Sequence, residues 1–237
     1  MANGLAVAAI AIVVTPLFVV DAFRVLAHDW FVRKELQSDG FPPDRYGLPP
    51  AARLSLALTG LHSIQPRSEG IDLLRRATLP DASGAAGTRA FDERELRHMQ
   101  DVRDLLGTAF RAQIAVLLGL VVAGIALHRS ARWRRVVPLG LLLGSLATLG
   151  LAALLIPVIV LGFDGFLLRF HELFFSGDSW RFSETDTLLR LYPEVFWQDT
   201  AKLAAGLAVA QAVVVASASW WWLRRLRRAA VSTRAVS

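Results

Sequence analysis

The sequence contains no cysteine. That excludes a disulfide, a thiolate metal ligand and a thiol nucleophile. Glycine-rich phosphate loops, HExxH and GxSxG are also absent, so the usual signatures of nucleotide binding, zinc peptidases and serine hydrolases are missing. Ser176 and Ser179 are the nearest approach to a serine nucleophile, and neither sits in an elbow motif. Charge is missing from four long stretches. What fills them is apolar: 54% of the 237 residues are hydrophobic, clustered rather than periodic. That excludes an ordinary soluble domain.

At about 1.5 Å rise per residue, roughly 20 residues cross a hydrocarbon core. Residues 5–27 form the first candidate span, with Pro16 expected to kink the helix rather than forbid it. A signal peptide is the rival reading. The start MANG lacks a basic n-region, although Val25-Leu26-Ala27 resembles a cleavage site, and an uncleaved helix is expected. Residues 112–127 are short for a crossing. They borrow a turn from 107–110 with Arg111 snorkelling, which gives a span of about 108–127. Residues 136–163, with Pro157 inside, and 201–223 complete the set. Gln211 is the sole strongly polar residue deep in any run, which argues against an ion-pathway transporter.

The net charge is +6 and the pI near 10.8, values that could suggest nucleic acid. The placement of the charges argues otherwise. His128-Arg129-Ser130-Ala131-Arg132-Trp133-Arg134-Arg135 carries four arginines and no acid. The last run ends in Trp220-Trp221-Trp222 followed by Arg224, Arg225, Arg227 and Arg228, an aromatic belt and a basic tail. The positive-inside rule puts residues 128–135, the tail 224–237 and both termini in the cytoplasm. Residues 28–107 and 164–200, of mixed charge, then face outside. The expected architecture is an all-α membrane protein, a single integral membrane domain over residues 1–237. It has four transmembrane helices and an extracytoplasmic helical and loop cap built from the segments after helices 1 and 3. Its expected location is a bacterial cytoplasmic membrane.

The first polar segment opens with a turn-rich piece around Phe41–Pro50, then a helical pattern ending near Ile64. Residues 79–88, LPDASGAAGT, read as a flexible loop. A helix follows from Asp92, a candidate N-cap with Glu95 three residues on. On that helix Arg94, His98, Asp101 and Leu105 share a face. The second segment, residues 170–199, carries His171, the acids Glu172, Asp178, Glu184, Asp186 and Glu194, and many aromatics. Such a mixture suits a membrane surface holding polar chemistry. Of the five histidines, His28 and His128 lie at span boundaries, and His62 reads as a buried structural residue. His98 and His171 stand among acids and aromatics. Asp101, one turn after His98, can orient it or raise its pKa, while Asp178 and Glu172 lie close to His171. From the residues alone, three readings stay open: solvated surface, proton-transfer catalysis and a metal site. The last lacks any local ligand spacing. A non-enzymatic sensor or assembly factor fits the same outer cap.

Two stretches resemble a known family. Arg97-His98-Met99-Gln100-Asp101-Val102-Arg103 is similar to its H-M-x-D-V-(K/R) motif. Phe170-His171-Glu172-Leu173-Phe174-Phe175, with Asp178, Trp180, Asp186, Leu188, Pro193, Glu194 and Phe196, resembles its FHxxFFxxDxW…D-x-L…PExFF motif, Trp197 replacing the final Phe. The family includes the lipoprotein intramolecular transacylases of bacterial membranes. The resemblance implies an enzyme that moves the sn-2 acyl chain of an S-diacylglyceryl cysteine to the same cysteine's α-amino group, giving a lyso-form lipoprotein. Its partners would be the diacylglyceryl-modified lipoprotein N-terminus and membrane lipids, with no cofactor and no nucleic acid. His98 and His171 would act as general acid and base without an acyl-enzyme. Asp101 and Asp178 would tune them, Trp180, Phe174 and Phe175 would line the acyl entry, and Arg94 or Arg181 would hold the oxyanion, with Asp186 in support. Residues 41–90 lie outside both motifs, and nothing in them can be placed against the family.

Overall fold

The computed structural model describes residues 2–80, 86–130 and 133–234. In chain order it has α1 (Ala2–Leu26), α2 (Asp29–Leu36), α3 (Pro50–Ser63), α4 (Asp72–Arg75), β1 (Thr78–Pro80), β2 (Ala86–Arg89), α5 (Glu93–His128), α6 (Val136–Leu161), α7 (Phe163–Phe174), α8 (Thr187–Leu191) and α9 (Glu194–Arg234). It is a helical membrane protein: α1, α5, α6 and α9 are each long and apolar enough to cross a bilayer. Pro16 and Pro157 lie inside continuous helices. The first turns of α5 are dense in charge, from Glu93 to Asp104, so that part lies outside any lipid core.

The residues divide into two compact units. The first comprises Met1–Phe23, Arg111–Val160 and Lys202–Ser237. Within it α1 and α6 approach closely because α6 offers Gly140, Gly144 and Thr148 on one face. A Cβ on Gly144 would stand 2.6 Å from the Val14 Cβ and 2.7 Å from the Ala11 carbonyl oxygen. One turn on, the Thr15 and Thr148 hydroxyls hydrogen-bond at 2.8 Å. Small residues that let backbones touch, with hydroxyls bonded across the seam, are how helices associate in lipid. Large apolar side chains such as Val122, Leu154, Val160 and Val214 point outward and stay exposed, as expected of a lipid-facing surface.

The second unit comprises Arg24–Phe110 and Leu161–Ala201. Its core joins Phe31, Leu61, Leu74, Phe91, Leu96, Leu188, Leu191, Tyr192 and Phe196, all buried. Gly60 leaves room for Tyr192, whose hydroxyl donates to the Ala57 carbonyl. The turn before α3 is held by charge. Arg190 bonds both Asp44 carboxylate oxygens, at 2.9 and 3.0 Å. Asp44 also accepts from the Leu48 and Tyr46 amides. The Arg190 hydrogen bond is the main reason the Asp44 carboxyl sits at about 2. Buried Arg53 donates to the carbonyls of Arg190 and Pro42.

Two expectations change here. Part of the stretch read as a flexible loop is an antiparallel pair, β1 with β2, in the register Thr78 to Arg89 and Pro80 to Ala86. Residues 81–85 lie outside the described residues, as do residues 131–132 of the basic connector and the His128 side chain. His62 is not buried: its side chain is 42% exposed and pairs with Asp29 at 2.7 Å. His28 is exposed at the break between α1 and α2.

Candidate active site

The second unit brings His98 and His171 together. α5 supplies His98 and α7 supplies His171, and their ring centroids lie 5.8 Å apart with planes inclined by 30°. The start of α5 is fixed by a reciprocal cap. Asp92 Oδ1 accepts the Arg94 and Glu95 amides, both at 2.8 Å, and Glu95 Oε2 accepts the Asp92 amide at 2.8 Å. This is the capping box with Asp in the Ser/Thr position. The other Glu95 oxygen accepts the Leu188 amide at 2.7 Å, at the start of α8. Burial pushes the Glu95 carboxyl up.

His98 is buried against aromatic edges, Phe175 at 5.0 Å and Phe182 at 5.3 Å between centroids. Its Nδ1 is buried and has no hydrogen-bond partner. Desolvation, and then the nearby charge of a protonated His171, hold its pKa down at about 4, so at neutral pH the ring is uncharged. His171 differs. Its Nδ1 donates to the Leu167 carbonyl at 2.8 Å, which fixes the tautomer and leaves the lone pair on Nε2. Trp180 stacks on it at 5.1 Å and 27°. Phe175, at 5.5 Å, contacts His171 as well as His98.

The other sequence-selected residues are arranged in unexpected pairs. Asp101 is exposed and makes no hydrogen bond to either imidazole; it accepts from the Ser179 hydroxyl at 3.3 Å. Asp178 pairs with Arg181 at 3.4 Å, both largely exposed, rather than with His171. Glu172 pairs with Arg169. All three carboxylates first read as neighbours of the rings are therefore bound to other groups. Arg94 is also committed: it bonds Asp186 at 2.5 Å and the Arg181 carbonyl at 3.0 Å. Phe174 is exposed, but Phe175 is buried against both histidines, so the two adjacent aromatics differ in placement. Trp180 keeps its Nε1 buried without a partner.

Sequence reasoning missed Phe182, which has no neighbour pattern to single it out, and gave no role to Arg103, the last residue of the first motif. Arg103 donates to the carbonyls of Ser63 and Gln65 and to the Ser68 hydroxyl, at 2.5, 2.9 and 2.8 Å. It packs on Gly70, whose φ of +72° suits glycine. The basic end of the first motif thus ties down the loop 63–70. Beside the histidines is an open cleft of about 440 Å³, lined by Arg94, Arg97, Gln100, Asp101, Ser176, Asp178 and Ser179; neither ring lines it. Among the described residues, no three His, Asp or Glu side chains converge as metal ligands.

The profile of the family described as lipoprotein intramolecular transacylase Lit matches residues 72–197, the stretch containing both histidines. The chain belongs to the Lit family. As a family member it is an acyltransferase of the membrane, a lipoprotein intramolecular transacylase. An uncharacterized protein of Aquifex aeolicus is 31% identical over 195 residues, 81% of this chain and 82% of the relative. The fold matches the crystallised transacylase Lit from Bacillus cereus with a TM-score of 0.71 at 19% identity, covering 95% of this chain and 98% of that one. A histidine-to-arginine mutant of that protein matches with a TM-score of 0.64 at 18% identity, over 96% and 94% of the two chains. These Lit neighbours support the helical membrane architecture.

Proposed function

We propose that this Lit-family enzyme moves the sn-2 acyl chain of an S-diacylglyceryl cysteine to the α-amino group of the same cysteine. His171 acts as the proton carrier and His98 as a neutral partner. The close, nearly parallel approach of the two imidazoles carries this reading. Nucleophile and ester are tethered in one substrate. Proximity can therefore supply an effective molarity of up to about 10⁵ M or more, and no acyl-enzyme is needed.

Proton transfer remains to be catalysed. The neutral amine attacks the ester carbonyl, forming the C–N bond. His171 Nε2, the nitrogen left with a lone pair, takes the proton that the amine must lose. The tetrahedral intermediate then expels the sn-2 glycerol oxygen, and the imidazolium returns the proton to it. The proton count closes within the substrate, as an isomerisation requires. General acid–base help of this kind contributes about 10²–10⁴-fold.

His98, held neutral at physiological pH, is a poor resting acid and suits a hydrogen-bonding role beside the ester. Arg94 and Arg181, both engaged elsewhere, leave the oxyanion to another donor. Trp180 Nε1, a buried N–H without an acceptor next to His171, is the better choice on the rule that such orphan groups have a task. The exposed Phe174, with Leu168 and Leu173 on the same helix, would receive acyl chains. We place the reaction on the outer side of a bacterial cytoplasmic membrane, with residues 128–135 and the tail inside, on the arginine distribution alone.

Mass spectrometry of a model lipoprotein's N-terminus, with and without the enzyme, tests the reading. The transfer is isomeric, so fragmentation must locate the acyl chain on nitrogen. Unchanged yield of N-acyl product from a His171→Ala enzyme would remove the mechanism.

A further inference from the structure

The substrate proposed above has three parts: acyl chains, a cysteine and the polypeptide that follows it. The aromatic cluster around the histidines and the exposed apolar residues of α7 suit the first. The third part is polar and must leave the site by a polar route. The cleft of about 440 Å³ is such a route, and its size falls within the range of small ligand pockets. Its walls come from the two segments that carry the histidines. Arg94, Arg97, Gln100 and Asp101 lie on the α5 turns flanking His98. Ser176, Asp178 and Ser179 lie between His171 and Trp180.

We infer that this cleft is a subsite for the polypeptide backbone, taking the first few residues after the acylated cysteine. The wall chemistry suits a peptide. Arg97 is exposed and makes no ion pair among the described residues, so its guanidinium can donate to substrate carbonyls. Asp101, one turn on, has no cationic partner there and holds only the weak Ser179 hydroxyl bond of 3.3 Å, so its carboxylate can accept from substrate amides. Donor and acceptor one helical turn apart, about 5–6 Å between Cβ atoms, match the alternation of C=O and N–H along an extended chain. Side chains of the bound peptide would point out of the open cleft, so selectivity for their identity would be weak. Gln100 is held by Asp104 at 3.0 Å and forms the rim.

This inference rests on the transacylase reading, and the test separates the two. The full-length enzyme in detergent is given two synthetic substrates: an S-diacylglyceryl cysteine amide, and the same group heading a tetrapeptide of Cys-Ser-Asn-Ala. The N-acyl product is measured for kcat and KM. The tetrapeptide is expected to show a KM at least about tenfold lower, the worth of one hydrogen bond to a charged group. Arg97→Ala is expected to shrink the ratio of kcat/KM between the two substrates about tenfold, through KM. Arg97→Gln, which keeps a donor, should recover part of it. Equal KM values in the native enzyme would overturn the inference, and so would a loss that is the same for both substrates in Arg97→Ala. If neither substrate is converted, the transacylase reading falls and this subsite with it.

Discussion

His171 donates its Nδ1 proton to the carbonyl of Leu167, one turn earlier on the same helix, at 2.8 Å. A backbone acceptor cannot titrate, so the orientation of the ring is held at any working pH. Removing the ring should therefore remove a proton carrier. His171→Ala is expected to lower the rate of N-acyl transfer by about 10²–10⁴-fold. The ring is only partly buried, so the unfolding temperature should move little. Product fragmentation by mass spectrometry and a melting curve check the two halves.

His98 gives the chain a pH-dependent weakness. Its folded pKa is about 4, against 6.5 for a free imidazole. Above pH 6.5 both states are neutral and stability is complete. As pH falls toward 4 the unfolded chain binds a proton that the folded chain resists, so stability drops. The full loss is on the order of 3 kcal/mol at ~1.4 kcal/mol per unit. Thermal unfolding between pH 7.5 and 4 should show this slope in the native protein and a flatter one in His98→Phe. Equal slopes would remove the assignment.

Arg94 and Asp186 hold the segment that presents Phe182 to His98. Arg94 bonds the Asp186 carboxylate and the Arg181 carbonyl, and its guanidinium carbon lies 5.6 Å from the Phe182 ring centre. Asp186→Asn is expected to loosen this segment, at a cost of about 1–3 kcal/mol. With Phe182 released, water reaches His98 and its pKa rises toward the ordinary value. The acid limb of the rate profile should then move to higher pH, which a purely structural loss would not produce.

Gly144 tests the packing of α1 on α6. A valine there would drive its Cβ into Val14 and the Ala11 backbone. Backbone cannot yield as a flexible side chain can. The expected loss is about 1–3 kcal/mol, typical of overpacking. Gly150, with open space around its Cβ position, serves as the control: Gly150→Ala should be tolerated.

The helices were legible where the sequence signal is local. The four apolar runs, and the Asp92–Glu95 cap with its spacing of three, each follow from residues close in the chain. The meeting of His98 with His171 was legible through the two motifs. What escaped depends on tertiary choice. Asp101 is in register to face His98, yet it meets Ser179, because the 176–179 segment passes on that side of the helix. The β1–β2 pair was hidden by Gly and Ala, which carry no alternation for a strand reading to find. Phe182 looks like any surface aromatic until the Arg94–Asp186 bridge turns its segment inward.

The Glu95 carboxylate closes the first turn of one helix with one oxygen and the first turn of another with its second. The two signature stretches are thereby indexed to each other by a single side chain, one turn from an imidazole. A duplicate gene could drift in its exposed surface positions while keeping that alignment. It could not exchange Glu95 for a shorter acid without letting the two halves of the site slip out of phase.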